Sequence, residues 1–313
     1  MQKIMSYGPL FIIIAALLWS VDGLLRRSLY VLPPIVLISI EHVIGFLLLV
    51  PFLVPHMRKI KSITPKTWGA LAWITVLSSI GGTLLYTAAL GQVNYIQFSV
   101  VVLLQKLQPI FAVIFAWIIL KEKLTPKFMI WFVVAMIAAY LVSFPDLTIN
   151  LATGQGTIMA ALMAIGAAFC WASSTAFSRY ALLQLPTILV TGLRFGLAAI
   201  VGLILVFVFN QQSTLNTITT SQWMTLFFIA LSTGMVALYI YYHGLKRTPV
   251  RIATVAELVW PLSAVVIDYV YFKNGLTPTQ ILGALLLLFT IYKVSSMSKE
   301  VKDGVNTHKS KRS

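Results

Sequence analysis

The chain has 313 residues, of which 59% are hydrophobic and only 10% charged, with a mean hydropathy of +0.92. Soluble domains are roughly half apolar and a quarter charged, so this composition excludes a soluble globule and leaves an all-α protein embedded in a lipid bilayer. The net charge of +15 does not imply nucleic acid, because the basic residues sit in short loops and at the C-terminus and not on a polar face interleaved with aromatics.

Ten apolar stretches of spanning length follow one another at 8–27, 34–54, 67–90, 96–120, 127–145, 156–179, 186–209, 222–245, 250–272 and 277–296. The first has Lys3 ahead of an apolar run from Pro9 to Leu18, which resembles a signal peptide. It lacks a small-residue cleavage site and reads as a retained helix. Pro33, Pro34, Pro55, Pro65, Pro126, Pro145, Pro186 and Pro278 fall at predicted edges, where a missing amide donor matters least, whereas Pro109 and Pro261 look internal to their spans and are candidate hinges. The single cysteine, Cys170, lies in an apolar helix. It offers no disulfide and no metal site, and no cofactor is expected. Residues 297–313 read as a basic, disordered cytoplasmic tail.

Lysine and arginine orient the chain. With a cytoplasmic N-terminus, 18 of them fall on the inner side, against Arg26, Arg27 and Lys273 outside. That bias predicts a multi-pass protein of the inner or plasma membrane with both termini cytoplasmic.

The two halves repeat each other. Trp19-Ser20-Val21-Asp22-Gly23-Leu24-Leu25-Arg26-Arg27 returns as Trp171-Ala172-Ser173-Ser174-Thr175-Ala176-Phe177-Ser178-Arg179, Leu124-Thr125-Pro126 as Leu276-Thr277-Pro278, and Pro109 as Pro261, all 152 residues apart. The predicted units are 1–150 and 151–296. Five helices per unit is an odd number, so equivalent helices cross in opposite senses. The loop charges agree: Arg58 to Lys66 matches an uncharged Asn210 to Gln222, and the uncharged Gln92 to Gln97 matches Lys246, Arg247 and Arg251. Two inverted five-helix repeats around a central cavity are the expected architecture, that of a carrier working by alternating access.

These residues resemble the drug/metabolite transporter superfamily, EamA type. The resemblance rests on ten spans in two halves, the early Trp19 and Trp171 helices, and Gln108-Pro109 through Trp117 leading into Leu120-Lys121-Glu122-Lys123-Leu124-Thr125. The second copy departs, with Asn274 where the motif's glutamate would stand and Gly275 after it. The resemblance covers 8–296 and implies a ten-helix bundle that moves metabolites, often outward.

Ionisable groups inside hydrocarbon are unfavourable by at least ~2.5 kcal/mol each and face the bundle interior, which singles out Glu41, His42, Lys106, Arg194, Glu257 and Asp268. The repeat pairs His42 with Arg194 and Gln105 with Glu257. Arg194 and Lys106 suit a carboxylate or phosphate, Glu257 and Glu41 an amine or an exchangeable proton, and His42 a coupled proton. Alternatively, Lys106 pairs with Glu41 or Glu257, and Arg194 with another carboxylate, as structural bridges. Glu257, Pro261, Ala264 and Asp268 share one helix face, which reads either as a polar path or, favoured for Asp268 near the outer end, as a solvated residue beyond it. Asp22 and Arg26 stand four apart, a local ion pair, and Glu122 reads as a cap or bridge. Trp19, Trp171, Tyr86, Tyr241, Tyr242, His243 and Trp260 are candidates for an aromatic lining. The spacing Gly192 to Gly196 reads as packing within one protomer, with a homodimer also open. The expectation is a secondary, exchange or facilitated transporter, working as an exporter, of a small polar metabolite such as an amino acid or amine; the alternatives are an intramembrane enzyme, for which the sequence holds no G-x-S-x-G or H-E-x-x-H, and a channel, which does not need inverted repeats with internal charges.

Overall fold

The computed structural model describes residues 7–26, 29, 31–91, 104–105, 107–144, 147, 157–273 and 275–310, and every extended element among them is helical. The first half holds α1 (Gly8–Arg26), α2 (Pro34–Leu53), a span made of α3 (Pro65–Trp73), a π-helical segment (Ile74–Gly82) and α4 (Thr83–Gly91), then α5 (Gln108–Leu120) and α6 (Pro126–Ser143). The second half holds α7 (Thr157–Gln184), α8 (Thr187–Val208), a span made of α9 (Thr220–Ile229), a second π-helical segment (Ala230–Val236) and α10 (Ala237–Leu245), then α11 (Val250–Ala256), α12 (Val259–Phe272) and α13 (Pro278–Ser310). Among the described residues, seven helical runs are long and apolar enough to cross a membrane, and Gly8–Asp22 and Gln108–Leu120 are shorter apolar helices.

The repeated tripeptide has a local cause. Thr125 and Thr277 are N-caps whose hydroxyls accept the amides of Phe128 and Gln280, and the proline that follows each occupies the first helical position, where its missing N–H is needed by no one. Lys121 and Lys273, also 152 apart, share a left-handed backbone with φ of 54° and 59°, so each fourth span ends in the same way.

Three expectations change. Pro109 and Pro261 are not interior: each sits in the first turn of a helix, α5 or α12. Because Pro261 has no N–H for the Glu257 carbonyl, Trp260 N takes that carbonyl at 2.9 Å and the ninth span breaks into α11 and α12. The polar face drawn from Glu257 to Asp268 therefore does not run along one regular helix, and the Asp268 side chain lies outside the described ones. The last helix continues to Ser310 through the residues expected as a disordered tail; no proline interrupts it.

The packing recurs when the halves are exchanged. α2 lies on α8 and α6 on α13, each pairing a helix with its own repeat copy; α1 lies on α10 as α7 lies on the span of α3 and α4, and α1 meets α12 as α7 meets α5. Equivalent helices run antiparallel: from the start of α2 to its end, Ser39 faces Gly202, the Gly45-Phe46 pair faces Phe195-Gly196, and Leu53 faces Gly192. Gly45 underlies the Phe195 ring and Gly196 underlies the Phe46 ring, a reciprocal fit in which a Cβ at Gly45 would stand 2.5 Å from Phe195 and one at Gly196 would stand 2.7 Å from Phe46. The glycine spacing at Gly192 and Gly196 is thus used inside the chain.

Two clusters of ion pairs among the described residues tie the halves together. Near the C-terminal end of α1, Arg26 bridges Asp22 and, at 2.7 Å, Glu41, while Thr233 of the second π segment donates to Asp22. At the other place, Glu122 accepts the amides of Val250 and Arg251 at 2.7 and 3.1 Å and faces Arg179 at 3.6 Å, so it caps α11 as well as bridging.

Replacing Gly196 with Leu forces a side chain into the Phe46 ring, and overpacking of this kind destabilises by about 1–3 kcal/mol. Denaturant titration of purified protein is expected to show that loss, with Ile200→Leu on the lipid-facing side of α8, 59% exposed, left unchanged. Equal stability of Gly196→Leu and the parent chain contradicts the reciprocal fit.

Candidate functional site

Arg194 organises the polar interior. It extends from α8 one residue before Phe195, whose ring is locked over Gly45, so the helix face that carries the guanidinium is set by that contact. Its Nε donates to Ser79 Oγ at 3.0 Å, Nη2 to Ser78 Oγ at 3.0 Å and Nη1 to Tyr242 Oη at 2.6 Å. Its charge also lies over the Tyr242 ring, 5.8 Å from the centroid. All three acceptors are neutral. The expected alternative in which Arg194 bridges a carboxylate is not what the described residues form.

The π-helical segment supplies two of those acceptors. Hydrogen bonding from i to i+5 widens the turn, so neighbouring side chains diverge less in direction than in an α-helix, and Ser78 and Ser79 can both reach one guanidinium. Other hydroxyls in these helices, such as Ser39, Ser143 and Ser232, donate back to the carbonyl four residues earlier. Ser78 and Ser79 accept from Arg194. Sequence reasoning passed over them because isolated serines in apolar helices usually back-bond; the only hint was two of them together ahead of Gly81-Gly82.

Trp171 attaches an aromatic wall to the same turn. Its indole N–H donates to the Ser78 carbonyl at 3.2 Å and its ring lies 5.3 Å from that of Tyr86. Gly82 leaves room for this, since a Cβ there would stand 2.7 Å from the indole nitrogen. On the other side, Tyr242 shares its hydroxyl with Ser178 at 2.9 Å, while the adjacent Tyr241 donates to Glu257 Oε1 at 2.6 Å and packs 5.0 Å from Trp19. Glu257, at the break between α11 and α12, is thereby linked to Arg194 through two neighbouring tyrosines. The site brings together Arg194, Tyr242, Trp171, Tyr86, Trp19 and Glu257.

Other expected residues stand apart from it. Glu41 pairs with Arg26 across the end of α1, and among the described residues it makes no contact with Arg194. His42 donates from Nδ1 to the Ile38 carbonyl at 2.8 Å and packs 5.2 Å from Phe195, which leaves Nε2 as its remaining polar atom. Gln105 donates to the Ala164 carbonyl of α7 at 2.7 Å. Lys106 lies outside the described residues. No cluster of three metal-ligating side chains occurs among the described residues.

The profile of the EamA-like transporter family matches residues 6–144 and again 158–296. The riboflavin transporter ImpX of Fusobacterium nucleatum subsp. nucleatum is 31% identical over 293 residues, 93% of this chain and 98% of its own. The uncharacterized transporter YvbV of Bacillus subtilis is 25% identical over 294 residues, 91% of this chain and 90% of its own. A solved crystal structure superposes with a TM-score of 0.73 at 18% identity, covering 95% of this chain and 99% of that one, which shows a common fold.

Tyr242→Phe keeps the ring but leaves Arg194 and Ser178 each short of a partner, and a lost bond to a charged group amounts to about 1.5–3 kcal/mol. The expected outcome is a stability loss of that order by denaturant titration, with Tyr239→Phe, exposed on the same helix, at parental stability. Indistinguishable variants refute the placement of Tyr242.

Proposed function

Because this chain belongs to the EamA-like transporter family, a family of membrane transporters, we propose that it carries a planar, acceptor-rich polar solute of the riboflavin class by alternating access of its two repeats. One observation carries this reading: a guanidinium held on three neutral hydroxyls beside a Trp171–Tyr86 pair. An arginine whose charge no carboxylate neutralises favours carbonyl or anionic acceptors, and an aromatic pair favours a flat ring. The name of the relative ImpX supports the same solute. The exchange of contacts between halves supports alternating access, since two equivalent arrangements of the same helices are then close in energy.

The sequence holds no phosphate-binding loop, so uphill movement draws on an ion gradient or on exchange. Glu257 and His42 are the groups we assign to proton coupling, and the bilayer of the plasma or inner membrane, with both termini cytoplasmic, is the expected setting. Export is the direction we assign, following the family resemblance. A second reading has its own observation: Glu257 and Arg194, of opposite sign and joined through Tyr241 and Tyr242, suit the two ends of an amino acid or the ammonium of an amine.

Purified protein in proteoliposomes is expected to exchange external for internal riboflavin, with loss of at least tenfold in Arg194→Lys, because an ammonium cannot reproduce the three-way grip. Glu257→Gln is expected to keep exchange and lose accumulation driven by an imposed pH gradient. Loading the vesicles from inside or outside reads the direction. Wild-type protein that ignores riboflavin and is inhibited by amino acids moves the assignment to the second reading; exchange at the wild-type rate in Arg194→Lys sinks the site.

A further inference from the structure

Ser78 and Ser79 have a chemistry beyond holding Arg194. Each hydroxyl that accepts from the guanidinium still carries its own O–H, and among the described residues neither donates it. Arginine has five N–H bonds, and the contacts to Ser78, Ser79 and Tyr242 engage three nitrogens with one bond each. The two serines are 6% and 3% exposed, so bulk water does not satisfy these donors in this state. Buried hydroxyl donors without an acceptor are unfavourable unless a ligand brings one.

We infer that Ser78 and Ser79, set side by side by the π-helical turn, determine specificity: with Arg194 they form one donor face that reads the paired carbonyl oxygens of a cyclic dione or imide edge. This rests on the solute class proposed above and adds which edge of the ring is read and by which residues. Trp171 fixes the other dimension. Its indole is anchored to the Ser78 carbonyl over Gly82, so the same turn that aims the hydroxyls also places the ring face of the wall, and the dione edge and the aromatic plane of a solute are read by one rigid unit. A hydrophobic slot discriminates flat rings weakly, whereas donors left unpaired by the wrong ring discriminate strongly. Ser78 and Ser79 are therefore expected to set which flat ring is accepted, and the aromatics to set only that the ring be flat.

The test compares lumichrome, a flat tricycle with the dione edge, and phenazine, a flat tricycle without carbonyls, as competitors of riboflavin exchange in proteoliposomes. Wild-type protein is expected to prefer lumichrome by tenfold or more. Ser78→Ala, Ser79→Ala and the double variant are expected to weaken lumichrome and riboflavin about tenfold while leaving phenazine unchanged, and Ser79→Thr, which keeps the hydroxyl, is expected to restore the preference. Loss of lumichrome and phenazine in parallel, or an unchanged lumichrome preference in the serine variants, overturns the assignment. If the double variant does not fold, the single variants decide on the same ratio. Wild-type protein that does not exchange riboflavin at all removes the underlying solute class, a result distinct from serine variants that behave as wild type.

Discussion

The reciprocal contact between α2 and α8 sets the rest of the bundle. Gly45 lies under Phe195 and Gly196 under Phe46, and neither helix can rotate without driving a ring into backbone. Helices in a bilayer gain nothing from hiding apolar surface from lipid, so close approach at small residues does what a hydrophobic core does in water. The consequence for chemistry is immediate. Arg194 precedes Phe195, and once that ring is seated the guanidinium is directed at the π-helical segment of the third span.

Each half places a π segment in its third span, and each of those segments lies against the second helix of the opposite half. The symmetry is geometric while the chemistry has diverged. In one copy Ser78 and Ser79 accept from Arg194; in the other Thr233 donates to Asp22, which is bound to Arg26 and through it to Glu41. One copy has a cation resting on neutral hydroxyls, and the other has a charge network closed on itself. That asymmetry separates a site with unspent donors from a structural tie near the end of α1.

The fold and its repeat were legible in the residues. Most span positions among the described residues, the two Thr-Pro helix starts, the Asp22–Arg26 pair and the bridging role of Glu122 arise from interactions close in sequence or from composition and fall where expected, whereas the ninth span breaks ahead of Pro261. Pro109 and Pro261 read as internal hinges and instead stand in first turns, because a missing N–H reports a lost bond and is silent on whether the chain continues or restarts as a new helix there. Glu41 was not legible as the partner of Arg26. Its distance to Arg26 depends on how α1 folds back on α2, which no spacing encodes.

What the chain determined by itself is therefore its class: an all-helical membrane protein in two related halves, with Arg194 and Glu257 among few charges inside hydrocarbon, because hydropathy, proline and internal repetition are properties of the chain alone. What only the tertiary structure decided is the site. Ser78 and Ser79 are unremarkable residues until a π turn brings them to one guanidinium, and Tyr241 and Tyr242 divide Glu257 from Arg194 only because α10 packs between α1 and α8. The physical reason is that polar groups in an apolar medium are assigned by which donors and acceptors packing brings within 3 Å or so, and hydrogen-bond reach is a property of the assembled bundle.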